Sequence, residues 1–326
     1  MASRIRALFW NRDEDRLRAL WRLLLHALSL AVIGIMAALV LNPVADLIGQ
    51  VPADVGELVE FGVITLVVVL ATWLVGHTLD RRHFADFGLR LSPLWWTDFG
   101  AGAALGALLM GGIFGLELAA GWVTIEGRFS GAPEGQPFVI AIAVPLMMFA
   151  FVGFYEELLS RGYHLRNLAE GLRGKMIGPK LALVLAAILS AAVFGLLHAD
   201  NPGATTQSTI NVGVAGLMLS VAPLLTGELG FAIGLHLSWN FFQGNVFGFP
   251  VSGTDAGPRV LALQQGGDPL ITGGEFGPEA GLVGLGAMVV GSLATLAWIR
   301  VSRGHPISIL SELGGGPRPP KLDAAR

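Results

Sequence analysis

The stretch FVIAIAVPLMMFAFVGFYEELLSRGYHL, residues 138–165, decides the fold. Its first eighteen residues carry no charge, and Glu156, Glu157 and Arg161 then follow within six positions. A helix crossing the hydrocarbon of a bilayer needs about 20 mostly apolar residues. The run therefore predicts a spanning helix that carries ionisable groups. Working outward, comparable runs lie near 20–41, 58–79, 98–123, 138–160, 181–199, 207–226, 229–247 and 280–301. They predict an all-α, polytopic membrane bundle of about eight transmembrane helices.

Composition agrees. Of 326 residues, 53% are hydrophobic and 14% charged, where a soluble domain carries roughly 25% charged residues. Glycine, frequent in membrane helices, reaches 45 residues. Cysteine is absent, which excludes disulfides, thiolate metal sites and cysteine nucleophiles. The first apolar run follows about twenty charged, amphipathic residues and is long enough to span, so it reads as a retained helix rather than a cleaved signal. The expected surroundings are the lipid bilayer of a cell membrane, crossed several times, with no nucleic-acid partner.

Lys and Arg accumulate in cytoplasmic segments. With the N-terminus inside, 19 of the 21 fall on inner segments, and only Arg128 and Arg259 fall outside. Both termini are therefore expected to be cytoplasmic. The chain divides into a cytoplasmic amphipathic segment (1–22), three helices (23–137), a core (138–250), an outer loop rich in Gly (251–279), a last span (280–301) and a disordered tail (302–326). The first segment, with Trp10 and Trp21 among arginines, suggests a helix lying on the inner leaflet.

Ionisable groups inside a span are costly, and they usually face a cavity or a partner. Three clusters stand out. In FYEELLSRGY (154–163), Glu157 and Arg161 are four apart, the favourable order for an ion pair on one helix face. Glu156 lies about 140° from Arg161 at 3.6 residues per turn, which leaves it free to face elsewhere. In FGLLHAD (194–200), Phe194 and His198 share a face, as do His236 and Asn240 in GLHLSWNFFQGN (234–245). Each cluster alone also has a structural reading, as an interfacial ion pair, a helix-end histidine or an interhelical hydrogen bond. Together they supply a carboxylate base, imidazoles and a polar pair able to hold an oxyanion, which is a hydrolytic inventory. Glu117, His26 and His77 lack such company and read as packing or helix-end groups.

The motifs Glu156-Glu157-Leu-Leu-Ser-Arg161, Phe194-Gly-Leu-Leu-His198 and His236-Leu-Ser-Trp-Asn240 resemble the ordered signature of the CAAX-protease and bacteriocin-processing (CPBP, or Abi) family of intramembrane proteases. The likeness covers roughly residues 138–250, and the segment 80–93 is similar to an inner loop of bacterial members. The resemblance implies a glutamate-type intramembrane endopeptidase acting on a membrane-associated protein or peptide, as in CAAX-type or bacteriocin-type processing. By match, Glu156 would activate water, aided by His198, and His236 with Asn240 would stabilise the oxyanion. Glu157 and Arg161 would support them, with Phe194 part of the signature. No cofactor is expected. Zn²⁺ is the competing reading, with Glu156, His198 and His236 as its ligands, although the HExxH spacing is absent. From other classes, a non-catalytic scaffold, an immunity protein or a proton-coupled transporter could use the same polar groups.

Span counting raises one conflict. It puts Glu156 near the inner face and His198 nearer the outer one. The favoured resolution is a fifth span that starts late, with 164–185 running along the membrane surface. The alternative is a fourth span displaced outward.

Overall fold

A computed structural model describes residues 8–11, 14–48, 53–304, 309–310 and 313. The chain forms a helical bundle: α1 (Ala19–Ile48), α2 (Ala53–Thr78), α3 (Pro93–Ala119), α4 (Phe138–Glu157), α5 (Leu165–Leu172), α6 (Pro179–Leu197), α7 (Thr206–Thr226), α8 (Gly230–Phe241) and α9 (Leu282–Arg303). Among the described residues, seven helical stretches are long and apolar enough to cross a bilayer, one of them the continuous run Phe138–Leu172. The protein is a polytopic helical membrane protein. The distribution of polarity is the reverse of a soluble fold. Leu108, Val139, Leu196 and Val301 are more than half exposed, while Glu157, Arg161, Ser220 and Gln243 are buried. Such an exterior matches lipid tails, and buried polar groups then pair with one another.

Local chemistry sets the helix ends. Ser92 caps α3 by accepting from the Trp95 amide, with Pro93 at the first helical position. Thr205 and Ser208 form a reciprocal box at the start of α7, and Gly227 ends that helix at φ 74°. The seventh apolar run forms α8, but with its trailing π turn (Phe242–Val246) it covers only residues 230–246 and falls short of a lipid-facing span. Every α8 residue from Gly230 to His236 is buried. It packs against α3 through glycine on both sides. A methyl at Gly102 would overlap the Phe231 carbonyl, and one at Gly234 would overlap the Phe99 carbonyl. Small residues on both faces thus bring the two backbones together.

One end of the bundle is stapled by charge. Arg16 and Arg22 donate to Glu170 at 2.8 and 2.7 Å, Arg22 also pairs with Asp80, and Arg82 pairs with Glu170. Tyr163 donates to Asp80 at 3.0 Å. Nearby, Asp98 in the second turn of α3 accepts from Trp298 and Arg303 of α9, at 2.9 and 2.6 Å. At the opposite end, β1 (Val123–Ser130) and β2 (Arg259–Gln265) pair antiparallel, so the connection after α3 meets the long one before α9. The first is called the basic end below, the second the loop end.

Several expectations need correction. Within the segment expected to lie on the inner leaflet as a helix, Trp10–Asn11 pairs antiparallel with Arg16–Leu17, and Arg16 turns inward to reach its buried acids. The region 251–279 is not a plain loop, because β2 and several capped turns organise it. In the segment read as a disordered tail, residues 302 and 303 belong to α9. Ile309, Leu310 and Leu313 pack beside α5, α6 and α7, with the Leu310 amide donating to Leu224. Residues 1–7 and 314–326, the rest of the first segment's start and of the tail, lie outside the described residues. Finally, 164–185 does not run as one surface segment. The chain continues helically from α4 through a π turn (Leu158–His164) into α5, and α6 starts at Pro179.

Candidate active site

The last correction resolves the depth conflict. The helical run bearing Glu156 is 35 residues long, and Glu156 lies near its middle. At 1.5 Å per residue it sits about 27 Å from Phe138. His198 closes α6 at the loop end. A cavity of about 410 Å³ runs between these levels. Glu156, His198, His236 and Asn240 all line it. Its floor includes Leu159 and Ser160 from the π turn, and its far wall includes Ser252 and Glu279.

The π turn is what inserts Arg161 into the protein. Widening one turn of helix frees backbone groups, and such turns concentrate at functional sites. Here the Ser160 carbonyl accepts from the Ser190 hydroxyl of α6 at 3.0 Å. Arg161 points inward, 2% exposed. It donates to Glu157 at 2.9 Å and to the Gly216 carbonyl of α7 at 3.0 Å. Its guanidinium lies 4.4 Å from the centre of the Phe194 ring. Phe194 thus covers the face of the cation with a ring quadrupole. That contact accounts for an aromatic residue one turn before His198.

Glu157 also reaches His236, with Oε1 2.9 Å from Nδ1. A carboxylate in an ion pair with Arg161 can only accept, so Nδ1 carries the proton. That fixes the tautomer, and Nε2 lies 3.8 Å from Oε2 of Glu156. His198 is fixed the same way. Its Nδ1 is 2.8 Å from the Phe194 carbonyl, which can only accept, so the neutral ring keeps its lone pair on Nε2. Glu156 has no such anchorage. Tyr155 donates to its Oε1 at a long 3.4 Å, and its buried Oε2 has no hydrogen-bond partner among the described residues. The pair therefore divides as the helical spacing predicts. Glu157 belongs to Arg161 and His236, and Glu156 belongs to the cavity.

Among the described residues, no three His, Asp or Glu side chains are grouped as a metal ion requires. Glu156, His198 and His236 share the cavity without forming such a cluster as placed, and the Nδ1 bond of His236 to Glu157 leaves its Nε2 turned toward Glu156.

Sequence reasoning misses part of the cavity wall. Asn201, Ser252 and Glu279 line it from outside the three motifs. Gln243 stands behind them, donating to Glu279 and to the Pro250 carbonyl. The one available signal is spacing, since Gln243 falls three residues after Asn240 on the same helix face.

The comparisons with known proteins bear on this same region. Residues 138–242 match the family model described as type II CAAX prenyl endopeptidase Rce1-like. No curated protein and no solved structure matches the chain. The matched segment begins with α4, holds all three motifs and ends just after Asn240. Residues 138–242 thus match an Rce1-like CAAX prenyl endopeptidase domain, consistent with the CAAX-protease and bacteriocin-processing family.

Proposed function

We propose that the protein hydrolyses a peptide bond of a membrane-associated protein or peptide, using water activated by Glu156. The observation that carries this reading is the division of the two glutamates. One is held by Arg161 and His236, and the other is unanchored on a cavity wall shared with His198 and Asn240. Glu156 takes a proton from water, and the hydroxide attacks the scissile carbonyl. His198, an acceptor at Nε2, orients that water. The carbonyl oxygen becomes an oxyanion that accepts from the Asn240 amide and from His236 in its imidazolium form, in which Nε2 holds a proton taken from solvent before the reaction and Nδ1 keeps its bond to Glu157. When the tetrahedral adduct collapses, the C–N bond breaks and the proton held by Glu156 passes to the leaving amine. In balance, one water is consumed and a carboxylate and an amine are released. No metal enters this scheme, and elemental analysis of the purified protein together with chelator treatment tests that point.

The probe is a fluorogenic farnesylated peptide ending in Cys-aliphatic-aliphatic-X, presented with purified protein in detergent. Membrane peptides from cells carrying wild type or Glu156→Gln are compared in parallel. Glu156→Gln is expected to lower cleavage by about 10²- to 10⁴-fold, the usual contribution of a general base. Its melting temperature should stay close to wild type, because the change is nearly isosteric and the buried Oε2 of Glu156 has no hydrogen bond to lose among the described residues. Full cleavage by Glu156→Gln sinks the assignment.

The same reading puts the basic end in the cytoplasm, from the positive-inside bias. The chain contains no cysteine, so single cysteines introduced at either terminus report orientation without background. Labelling of a terminus from outside intact cells overturns the orientation.

A further inference from the structure

Glu279 lies outside the family match, two residues before the cap of the last span ends and α9 begins. It is 5% exposed, yet it lines the same cavity as Glu156. Its two oxygens are both engaged. Oε1 accepts from the Ser252 amide at 2.6 Å, and Oε2 accepts from the Gln243 side-chain amide. No cation compensates it among these contacts.

The segment it holds is a tight turn. Val251 and Thr254 exchange two backbone hydrogen bonds of 2.9 Å each. Ser252, between them, adopts φ 48°, a conformation a non-glycine residue keeps only when its surroundings impose it. Those surroundings are visible. The Ser252 carbonyl accepts from Asn201, three residues after His198, at 3.0 Å. Gly253 packs so tightly on the Pro202 backbone that a methyl there would overlap it, and its amide donates to Phe276 at 2.7 Å. Val251 is buried against Phe149 and Val152 of α4, one turn and more before Glu156. The turn is therefore bonded to the segment after α6 and to the approach to α9, is tied to the end of α8 through Glu279 and Pro250, and packs on the helix that bears Glu156. Thr254 also lines a second, open cavity on the loop side, so the turn is the partition between that space and the catalytic one.

Resting on the peptidase reading above, we infer that Glu279 is a positioning residue. With Gln243 it locks the Val251–Thr254 turn as the far wall of the cavity, and that wall sets which residues flanking the scissile bond are accepted. A strained turn at this place, braced by four elements, is a fixed gauge rather than a mobile cover. Removing the brace lets the wall recede, which relaxes discrimination by size while the catalytic groups on α4, α6 and α8 remain.

Two measurements test this. The first is independent of activity. Val251→Cys provides the chain's single thiol, buried in the wall, and its rate of modification by a small maleimide reads the wall's opening. In a Glu279→Gln background the rate should rise at least fivefold. In the Gln243→Glu/Glu279→Gln double variant, which restores a carboxylate–amide pair, it should fall back. An unchanged rate in Glu279→Gln overturns the clamp. The second uses farnesylated peptides whose two residues after the cysteine are varied from Ala through Leu to Phe. Glu279→Gln should raise KM for the small-residue peptides more than it lowers kcat, and narrow the ratio of kcat/KM between preferred and bulky peptides at least fivefold. A uniform fall in kcat across the panel, with ranking intact, overturns the specificity role even if the thiol opens. If wild type cleaves no peptide, the peptidase reading fails and the specificity role with it, while the thiol rates still decide the clamp.

Discussion

Glu157 and Glu279 are both taken out of water around one cavity, yet the protein compensates them differently. Glu157 meets a full positive charge in Arg161 and an imidazole in His236. Glu279 meets only dipoles, the Ser252 amide and the Gln243 side chain. A carboxylate facing a cation holds that cation in place and sets the protonation pattern of the histidine behind it. A carboxylate facing dipoles holds backbone instead. Burial then pushes its pKa up to about 7, only partly offset by those hydrogen bonds. The first arrangement suits catalytic machinery, and the second suits the shape of a wall.

The largest effect expected from breaking this contrast is at Glu157. Glu157→Gln strands Arg161 in a site where it is 2% exposed. Removing one partner of a buried pair costs roughly 3–5 kcal/mol. It also releases Nδ1 of His236, so the tautomer is no longer imposed. Detergent-solubilised protein should melt markedly lower than wild type and lose cleavage as well. A well-folded Glu157→Gln protein with a wild-type melting temperature contradicts the ion-pair role.

At Glu279 the expected change has the opposite character. The folded protein keeps the proton to about 7, while the unfolded chain releases it near the ordinary value of 4.5. Between those values the fold binds more protons, so stability falls as pH rises through that window and is level outside it. The span of about 2.5 units corresponds to roughly 3 kcal/mol at about 1.36 kcal/mol per unit. Melting temperature measured from about pH 4.5 to 7.5 should decline in wild type, and Glu279→Gln should flatten that part of the profile. An identical slope in both proteins removes Glu279 as its source.

The contrast also marks what can be read in the sequence. The Glu157–Arg161 pair is four residues apart on one helix, so spacing alone reveals it. The fold class follows from runs of apolar residues, each of which is again local. The wall is not legible because its bonds join distant positions: Asn201 to Ser252, Gln243 to Glu279, and β1 to β2 from far apart in the chain. The π turn defeats the span count for a related reason. Nothing in Leu158–His164 forbids an ordinary α-helix ending there, and the helix runs on where α6 supplies the Ser190 hydroxyl to the Ser160 carbonyl. The N-terminal arginines look like a membrane-facing flank until their acids, at Asp80 and Glu170, are brought to them by the fold.

The smallest expected effect on stability concerns the contact that carries His236 and Asn240 rather than either carboxylate. Gly234 lies two residues before His236, and a Cβ there meets the Phe99 carbonyl of α3 with no flexible side chain to give way. Gly234→Ala must push α8 off α3, and such overpacking costs about 1–3 kcal/mol. The displacement moves His236 relative to Glu157 on α4, and a shift near 1 Å at a reacting centre can cost about 10²-fold in rate. Gly100, on α3 with open space around its Cβ position, is the matched control. Gly100→Ala should be neutral or gain up to about 1 kcal/mol from helix propensity. Melting temperature and peptide cleavage of the two variants, measured side by side, separate the effect of close packing from that of glycine itself. If both alanines behave alike, close backbone approach between α3 and α8 does not position the histidine, and its geometry is set by Glu157 alone.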